Sequence, residues 1–247
     1  MRKLLVVLLG ICFIFLGLIG CSTVRRKLLF FPSHHTQNNG LTAWKSHGEI
    51  IGYARQVPAP ENVWLMLHGN GGQAADRVYA LPCFSGRDSV FILEYPGYGL
   101  RKGKPSRTSL DASAKEAYQL LRNAFPTNPV CVVGESIGTG PACMLATQSQ
   151  QPNKIMLIVP FDELVSVAAD HAPYLPVGLI LGSTWDNIRS LSGYTGPVEI
   201  VAALEDRVIK IEHAKKLANA VPLAKFRPIA GGHNDWSTPG RVQIRNP

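Results

Sequence analysis

Val130-Cys131-Val132-Val133-Gly134-Glu135-Ser136-Ile137-Gly138 is the stretch on which the reading of this chain turns. Four β-favouring apolar residues run into a serine bracketed by glycines, and a helix-compatible segment follows. A short run that is apolar on both faces suits a strand buried on both sides, as in a parallel sheet. Where such a strand turns sharply into a helix, side chains flanking the turn would collide, so glycine on both sides of Ser136 is expected. The turn lifts the serine hydroxyl clear of the sheet edge. Gly-x-Ser-x-Gly alone is a weak pattern; its position between strand and helix is what makes it specific.

Working outward, the same alternation recurs. Val63-Trp64-Leu65-Met66-Leu67 ends in His68-Gly69, and residues 90–93 are stopped by Pro96-Gly97. Further apolar runs occupy 155–159, 198–204 and 225–230. Between them, residues 110–125 carry Leu110, Ala114, Ala117, Leu120 and Leu121 at helical spacing, with Ser109 as the expected N-cap. Residues 211–221 repeat the pattern with Ala214, Leu217 and Ala218. Strands alternating with helices predict an α/β fold, a mostly parallel sheet with helices on both faces. Residues 28–56 are expected to supply an antiparallel lead-in. Residues 161–196 lack a clear strand and are expected to form a small helical cap, in which the run 174–181 and Trp185 either line an acyl site or pack in the core.

The chain's 247 residues, 46% hydrophobic and 17% charged, fit one domain and exclude disordered, collagen-like and coiled-coil chains. Five cysteines without a Cys-x-x-Cys pair argue against a disulfide framework, a zinc site or a redox site. Cys131, in an expected central strand, reads as an inert buried thiol. The formal charge is +8, but the 25 Lys and Arg are scattered, and only Arg25-Arg26-Lys27 forms a run. Nucleic acid is therefore not an expected partner.

The chain opens with Met1-Arg2-Lys3, seventeen uncharged residues from Leu4 to Gly20, and Cys21. A positive start and an apolar core describe a secretory signal, while the length also approaches that of a membrane span. Leu18-Ile19-Gly20-Cys21 resembles a bacterial lipobox. That resemblance implies cleavage before Cys21 and acylation of its thiol and new amino group. Residues 1–20 are then signal, 21–27 a membrane-proximal tether and 28–247 the folded domain; an uncleaved membrane helix is the alternative. Removing Arg2 and Lys3 lowers the formal charge to +6, and Arg25, Arg26 and Lys27 come to lie beside lipid headgroups. Ser22, rather than Asp, after the lipidated cysteine favours the outer membrane, facing the periplasm.

A serine hydroxyl needs a neighbouring base to become a nucleophile. His233, in the loop Gly231-Gly232-His233-Asn234-Asp235 after the last expected strand, has the backbone freedom to reach Ser136. His213 sits inside a helical pattern and reads as an exposed helix residue, and His68 as structural. The base needs a carboxylate to fix its tautomer. Asp206 follows the run 198–204 and gives the chain order Ser, acid, His; Glu205 competes, and Asp162 and Asp186 read as helix caps or surface charges. A tetrahedral intermediate needs two N–H donors, expected from Ile137 and from Asn70 in His68-Gly69-Asn70-Gly71-Gly72. No Gly-Lys-Ser/Thr follows that glycine loop, which argues against phosphate binding. No cofactor or metal is expected.

These motifs together resemble the α/β-hydrolase superfamily, in particular the small serine hydrolases that include eukaryotic protein depalmitoylases and monoacylglycerol-lipase-like enzymes. The resemblance runs from about residue 28 to 236, through His68 to Gly72, Glu94-Tyr95-Pro96-Gly97-Tyr98-Gly99, Gly134 to Gly138, Asp206, and Gly232 to Asp235. It implies Ser136 as nucleophile, His233 as base, Asp206 as its orienting acid, and Asn70 and Ile137 as oxyanion donors. The chain departs from the family at Glu94, where Asp is frequent, at Leu100-Arg101, where Ser is, and at Lys210, where Pro is. None touches the triad, but the relatives' substrates are not carried over. The expected function is hydrolysis of a small acyl ester or thioester through a Ser136 acyl-enzyme, at a membrane reached by the N-terminal lipid. The alternatives are an acyltransferase, and a catalytically silent lipoprotein that binds a ligand or partner.

Overall fold

A computed structural model describes residues 26–35, 40–222 and 224–246. Cys21, the expected signal and most of the tether lie outside them. Among the described residues no helix is long and apolar enough to cross a membrane.

Eight strands form the central sheet: β1 Thr42–Ser46, β2 Glu49–Arg55, β3 Val63–Leu67, β4 Ser89–Leu93, β5 Val130–Glu135, β6 Ile155–Ile158, β7 Val198–Ala203 and β8 Ala224–Ile229. Their spatial order is β8-β7-β6-β5-β3-β4-β2-β1. The β1–β2 hairpin and the β2–β4 pairing are antiparallel, and the remaining pairings are parallel. Every residue of β3, β4, β5 and β6 is buried, which is why these strands are continuously apolar apart from Ser89 at the start of β4 and Gly134-Glu135 at the end of β5. The expected lead-in is present as β1 and β2. Phe31–Pro32, ahead of it, instead pairs in parallel with Gly71–Gly72.

Alternate side chains of the strands feed two core layers. Val63, Leu65, Leu67, Val130 and Val132 pack against α1 (Arg107–Ala124), α2 (Thr139–Leu145) and α6 (Ile211–Ala220). Trp64, Met66, Cys131 and Val133 pack against the 3-10 segment Ala74–Cys83 and against Trp236, Val242 and Ile244. Burial of each such large side chain is worth about 1.5–3 kcal/mol, so both layers hold the sheet against its covers. Burial also pushes the Cys131 thiol up to about 12, which keeps it protonated and unreactive.

Two expectations need correction. α1 begins one turn early: Ser106 is its N-cap and accepts the Ser109 N–H at 3.1 Å, while Ser109 Oγ accepts the Ser106 N–H at 2.9 Å. This reciprocal box outweighs the apolar spacing, because the first turn faces solvent and carries no hydrophobic signal. Residues 161–196 hold α3 (Leu164–His171), α4 (Val177–Leu181) and α5 (Asn187–Leu191). Within that segment Tyr174 is 97% and Leu179 84% exposed, so these side chains neither line a site nor pack in a core. Of the run 174–181 and Trp185, Leu181 and Trp185 are buried. They border a groove of about 710 Å³ with Leu29, Phe30, Met144 and the first turn of α1, and Ser136 is not among its walls.

Candidate active site

β3 and β5 are neighbours with Leu67 opposite Gly134, so the loops leaving their C-terminal ends start side by side. Ser136 begins the turn after β5 with φ +53°, a left-handed conformation that a non-glycine residue holds only when its surroundings impose it. The two glycines make that possible. A Cβ at Gly134 would stand 2.6 Å from the Gly138 carbonyl oxygen and 2.8 Å from the Thr139 Cα. A Cβ at Gly138 would collide with the carbonyl of Leu67. Thr139 Oγ1 closes the turn by donating to the Ser136 carbonyl at 2.6 Å.

The structure brings together Ser136, His233 and Asp206. Ser136 Oγ lies 2.9 Å from His233 Nε2, and His233 Nδ1 lies 2.7 Å from Asp206 Oδ2. A carboxylate only accepts, so Nδ1 carries the proton and Nε2 is left to accept the serine proton. The other Asp206 oxygen, Oδ1, accepts the backbone N–H groups of Val208 and Ile209, both at 2.8 Å. Those bonds fix the carboxylate's rotation. Glu205, the competing acid, is exposed.

The orientation of the 68–72 loop follows from where its carbonyls go. His68 is fully buried, and its Nδ1 donates to the Gly69 carbonyl at 2.7 Å. Arg77 Nη2 also approaches that carbonyl, at 3.5 Å, and donates to the carbonyl of Gly71. The peptide is trans, so the Asn70 N–H points opposite to the Gly69 carbonyl. The Asn70 side chain is turned away, donating to the Leu29 carbonyl at 3.2 Å. Gly138 packs on the Leu67 and His68 carbonyls, which sets the peptide of Ile137 beside this loop. His68 thus has a structural role, holding the Gly69–Asn70 peptide through the Gly69 carbonyl.

Sequence reasoning missed Glu135. This buried residue precedes the serine, and its carboxylate joins four segments. Oε2 accepts the Gly69 N–H at 3.1 Å and lies 3.6 Å from Arg77 Nε. Oε1 lies 3.3 Å from both the Tyr79 hydroxyl and Trp236 Nε1. Burial by itself would raise this carboxyl; Arg77, the Gly69 N–H, His68 and Trp236 outweigh it and hold it below the ordinary glutamate value. Burial, with Glu135 adding to it, pushes the Tyr79 phenol well above its usual range, so Tyr79 is a donor to that carboxylate. A carboxylate inside a strand signals that a cation must be near, but nothing local selects Arg77, 58 positions earlier in the chain.

Two other acid–histidine readings are corrected. His213 is buried, not exposed, and its Nδ1 lies 2.7 Å from Asp162 Oδ1. Asp162 is also buried, with Lys216 Nζ 2.7 Å from its Oδ2. Asp186, by contrast, is a helix cap as expected, accepting the Arg189 N–H at 2.8 Å at the start of α5.

Ser136 and His233 open into a cleft of about 580 Å³ that the 69–72 loop, Arg77, Tyr79 and Val208 also line. It is a separate space from the larger groove beside Trp185.

Strand order, serine turn and loop positions define an α/β-hydrolase fold, and solved structures bear this out. An esterase of Pyrococcus furiosus superposes with a TM-score of 0.64 over 85% of this chain and 92% of its own, at 12% identity. An uncharacterised protein of Mycobacterium tuberculosis is 31% identical over 186 residues, covering 73% of this chain and 66% of that protein. Alpha/beta hydrolase domain-containing protein 17C of Homo sapiens is 28% identical over 203 residues, covering 74% of this chain and 56% of that protein. The chain thus spans just under two thirds of the mycobacterial relative and little more than half of the human one. No protein-family model matches the chain. Taken together, these likenesses support the α/β-hydrolase fold.

Proposed function

We propose that this chain is a serine hydrolase that cleaves small carboxylic esters or thioesters through an acyl-enzyme on Ser136. The observation that carries the reading is the continuous line from Ser136 Oγ through His233 to Asp206, at 2.9 and 2.7 Å, with Asp206 itself fixed by two backbone N–H groups. Ser136 Oγ attacks the acyl carbon while its proton passes to His233 Nε2. Asp206 stabilises the imidazolium without taking its proton. The charge on the former carbonyl oxygen is met by the N–H groups of Asn70 and Ile137. Collapse expels the alcohol or thiol, which takes the proton from His233. Water then enters, gives a proton to His233 and attacks the acyl-enzyme, releasing the acid and restoring Ser136.

Labelling by a fluorophosphonate, which reacts with an activated serine, tests the nucleophile; a series of p-nitrophenyl esters then ranks acyl lengths. Wild-type protein that is labelled at Ser136 and turns over an ester supports the reading. A protein that neither labels nor hydrolyses any ester overturns it.

The same proposal includes an anchor at Cys21, supported by Leu18-Ile19-Gly20-Cys21 in the sequence. The acylated chain would sit on the bacterial outer membrane, facing the periplasm. Mass spectrometry of the mature N-terminus tests it: an unmodified Cys21 still joined to Gly20 overturns the lipid anchor.

A further inference from the structure

Among the described residues, every large apolar side chain more than half exposed lies at one end of the molecule. Tyr174, Leu175 and Leu179 follow β6, Leu204 follows β7, and Leu100 follows β4. Leu28 and Phe31 belong to the segment that pairs with Gly71–Gly72 after β3. Loops that leave the C-terminal ends of parallel strands share one edge of the sheet, and that edge carries the Ser136 cleft. Exposing this much apolar surface on loop tips is unfavourable in water, at about 25 cal/mol for each Å².

Charge narrows what can cover it. Lys27, Lys102, Lys104, Arg207 and Lys210 are exposed on the same segments. The exposed acids there are Glu205 and Asp170, and Asp170 is already held by Lys210 at 2.9 Å. The surface is therefore apolar tips among an excess of cations, five against two acids. Sequence outside the described residues bears on the same edge. Seventeen uncharged residues, Leu4 to Gly20, are separated from Arg26 by five residues, and Arg26 borders the groove beside Trp185. Five extended residues reach at most about 16–18 Å.

We propose that this edge rests on an anionic lipid bilayer, with the cleft mouth turned toward the membrane so that acyl substrates reach Ser136 from the lipid. The apolar tips enter the boundary between headgroups and acyl chains, and the lysines and Arg207 meet the lipid phosphates. A bilayer fits better than a protein because the tips are spread over four separate segments at the edge that carries the cleft, instead of lining one concave groove. The inference rests on the reading of an anchored hydrolase above.

The test uses the full chain reconstituted in vesicles of phosphatidylcholine and phosphatidylglycerol with brominated acyl chains, which quench tryptophan by contact. Tryptophan at the exposed tip (Leu179→Trp) should be strongly quenched. Tryptophan before β3 at the opposite edge (Glu61→Trp) should not be. Equal quenching at the two positions overturns the proposal. So does burial of the Leu179 position by a second copy of the chain, seen as a dimer in sedimentation without lipid. A second arm reads activity. The triple variant Tyr174→Ser, Leu175→Ser, Leu179→Ser should hydrolyse a long-chain acyl ester held in the vesicles about tenfold more slowly, and soluble p-nitrophenyl acetate within about twofold of wild type. An unchanged rate on the vesicle ester overturns the proposal. Failure of wild type on p-nitrophenyl acetate would count against the hydrolase reading alone, because quenching reports orientation without needing turnover.

Discussion

His233 faces Asp206 and His213 faces Asp162 through the same Nδ1–carboxylate distance, 2.7 Å. Both histidines are largely buried, and both acids have a second oxygen occupied. Beyond each pair the surroundings diverge. The Nε2 of His233 looks at Ser136 Oγ, while that of His213 looks at a second carboxylate, Asp170, at 3.5 Å. Asp206 is steadied by neutral backbone N–H groups, and Asp162 by the Lys216 ammonium. The first arrangement leaves a basic nitrogen free to take a proton from a nucleophile. The second sets a histidine between two acids and ties α6 to the segment from 162 to 170. A histidine–aspartate pair is therefore not a base by itself; the group facing its other nitrogen decides.

The largest test of that contrast is loss of either end of the catalytic line. Ser136→Ala should lower ester turnover by about 10⁴–10⁶, and His233→Ala should be nearly as severe, because the two act as one unit. His213→Ala should leave turnover within about fivefold, as expected of a residue remote from the reacting atoms. Steady-state kinetics on one p-nitrophenyl ester compares all three, and a severe His213 effect with a mild His233 effect would reverse the assignment.

Next in size is the acid. Asp206→Asn can keep its oxygen on the Val208 and Ile209 N–H groups only by presenting its amide NH₂ to His233. That selects the wrong tautomer and should cost about 10⁴ in kcat. Glu205→Gln is the control and should be close to wild type; the opposite order would transfer the role.

Glu135→Gln should have a smaller effect, about 10- to 100-fold on kcat with KM nearly unchanged, below the loss of a whole oxyanion donor. Its role is positioning, so the decisive readout is affinity for a trifluoromethyl ketone, which binds as the oxyanion. That affinity should fall in parallel with kcat, whereas a purely structural defect would lower the melting temperature and leave the affinity of folded protein intact. The pH dependence has a definite sign. A depressed carboxyl adds stability that is complete above its unfolded value, about 4.5, and is lost as pH falls through the lower folded value. Wild-type melting temperature should therefore fall more steeply than that of Glu135→Gln below about pH 4.5. Parallel curves would show that Arg77 and the Gly69 N–H do not favour the charged form.

The smallest effect concerns the second pair. His213→Ala removes one partner from a buried carboxylate and should cost about 1–2 kcal/mol of stability, measured by urea unfolding. No loss at all would mean that Lys216 and the Glu163 N–H, which reaches Asp162 Oδ1 at 2.7 Å, hold the acid without it.

The strand runs, the helix at 211–220, the serine turn and the order Ser, Asp, His were legible because each is written in consecutive residues. Apolar continuity marks a doubly buried strand, and paired glycines mark a turn with no room for side chains. Ser106 was missed as a cap because its partner Ser109 fits the same motif one turn later. His213 was misread because its helix shows apolar spacing on one side and polar residues on the other, and the buried Asp162 opposite it comes from a distant segment.

The sequence by itself determined the sheet, the sharp turn at Ser136 and the candidates for base and acid, since local sterics and burial act over a few residues. Tertiary structure alone decided which histidine meets the serine, that Glu135 joins Gly69, Arg77, Tyr79 and Trp236, and that the apolar tips of four segments lie at the edge of the sheet that carries the cleft. Those are contacts between residues far apart in the chain. Their energies depend on distances that only the packed sheet sets, because a charge or a hydrogen bond acts over a few ångströms and carries no mark in the sequence between.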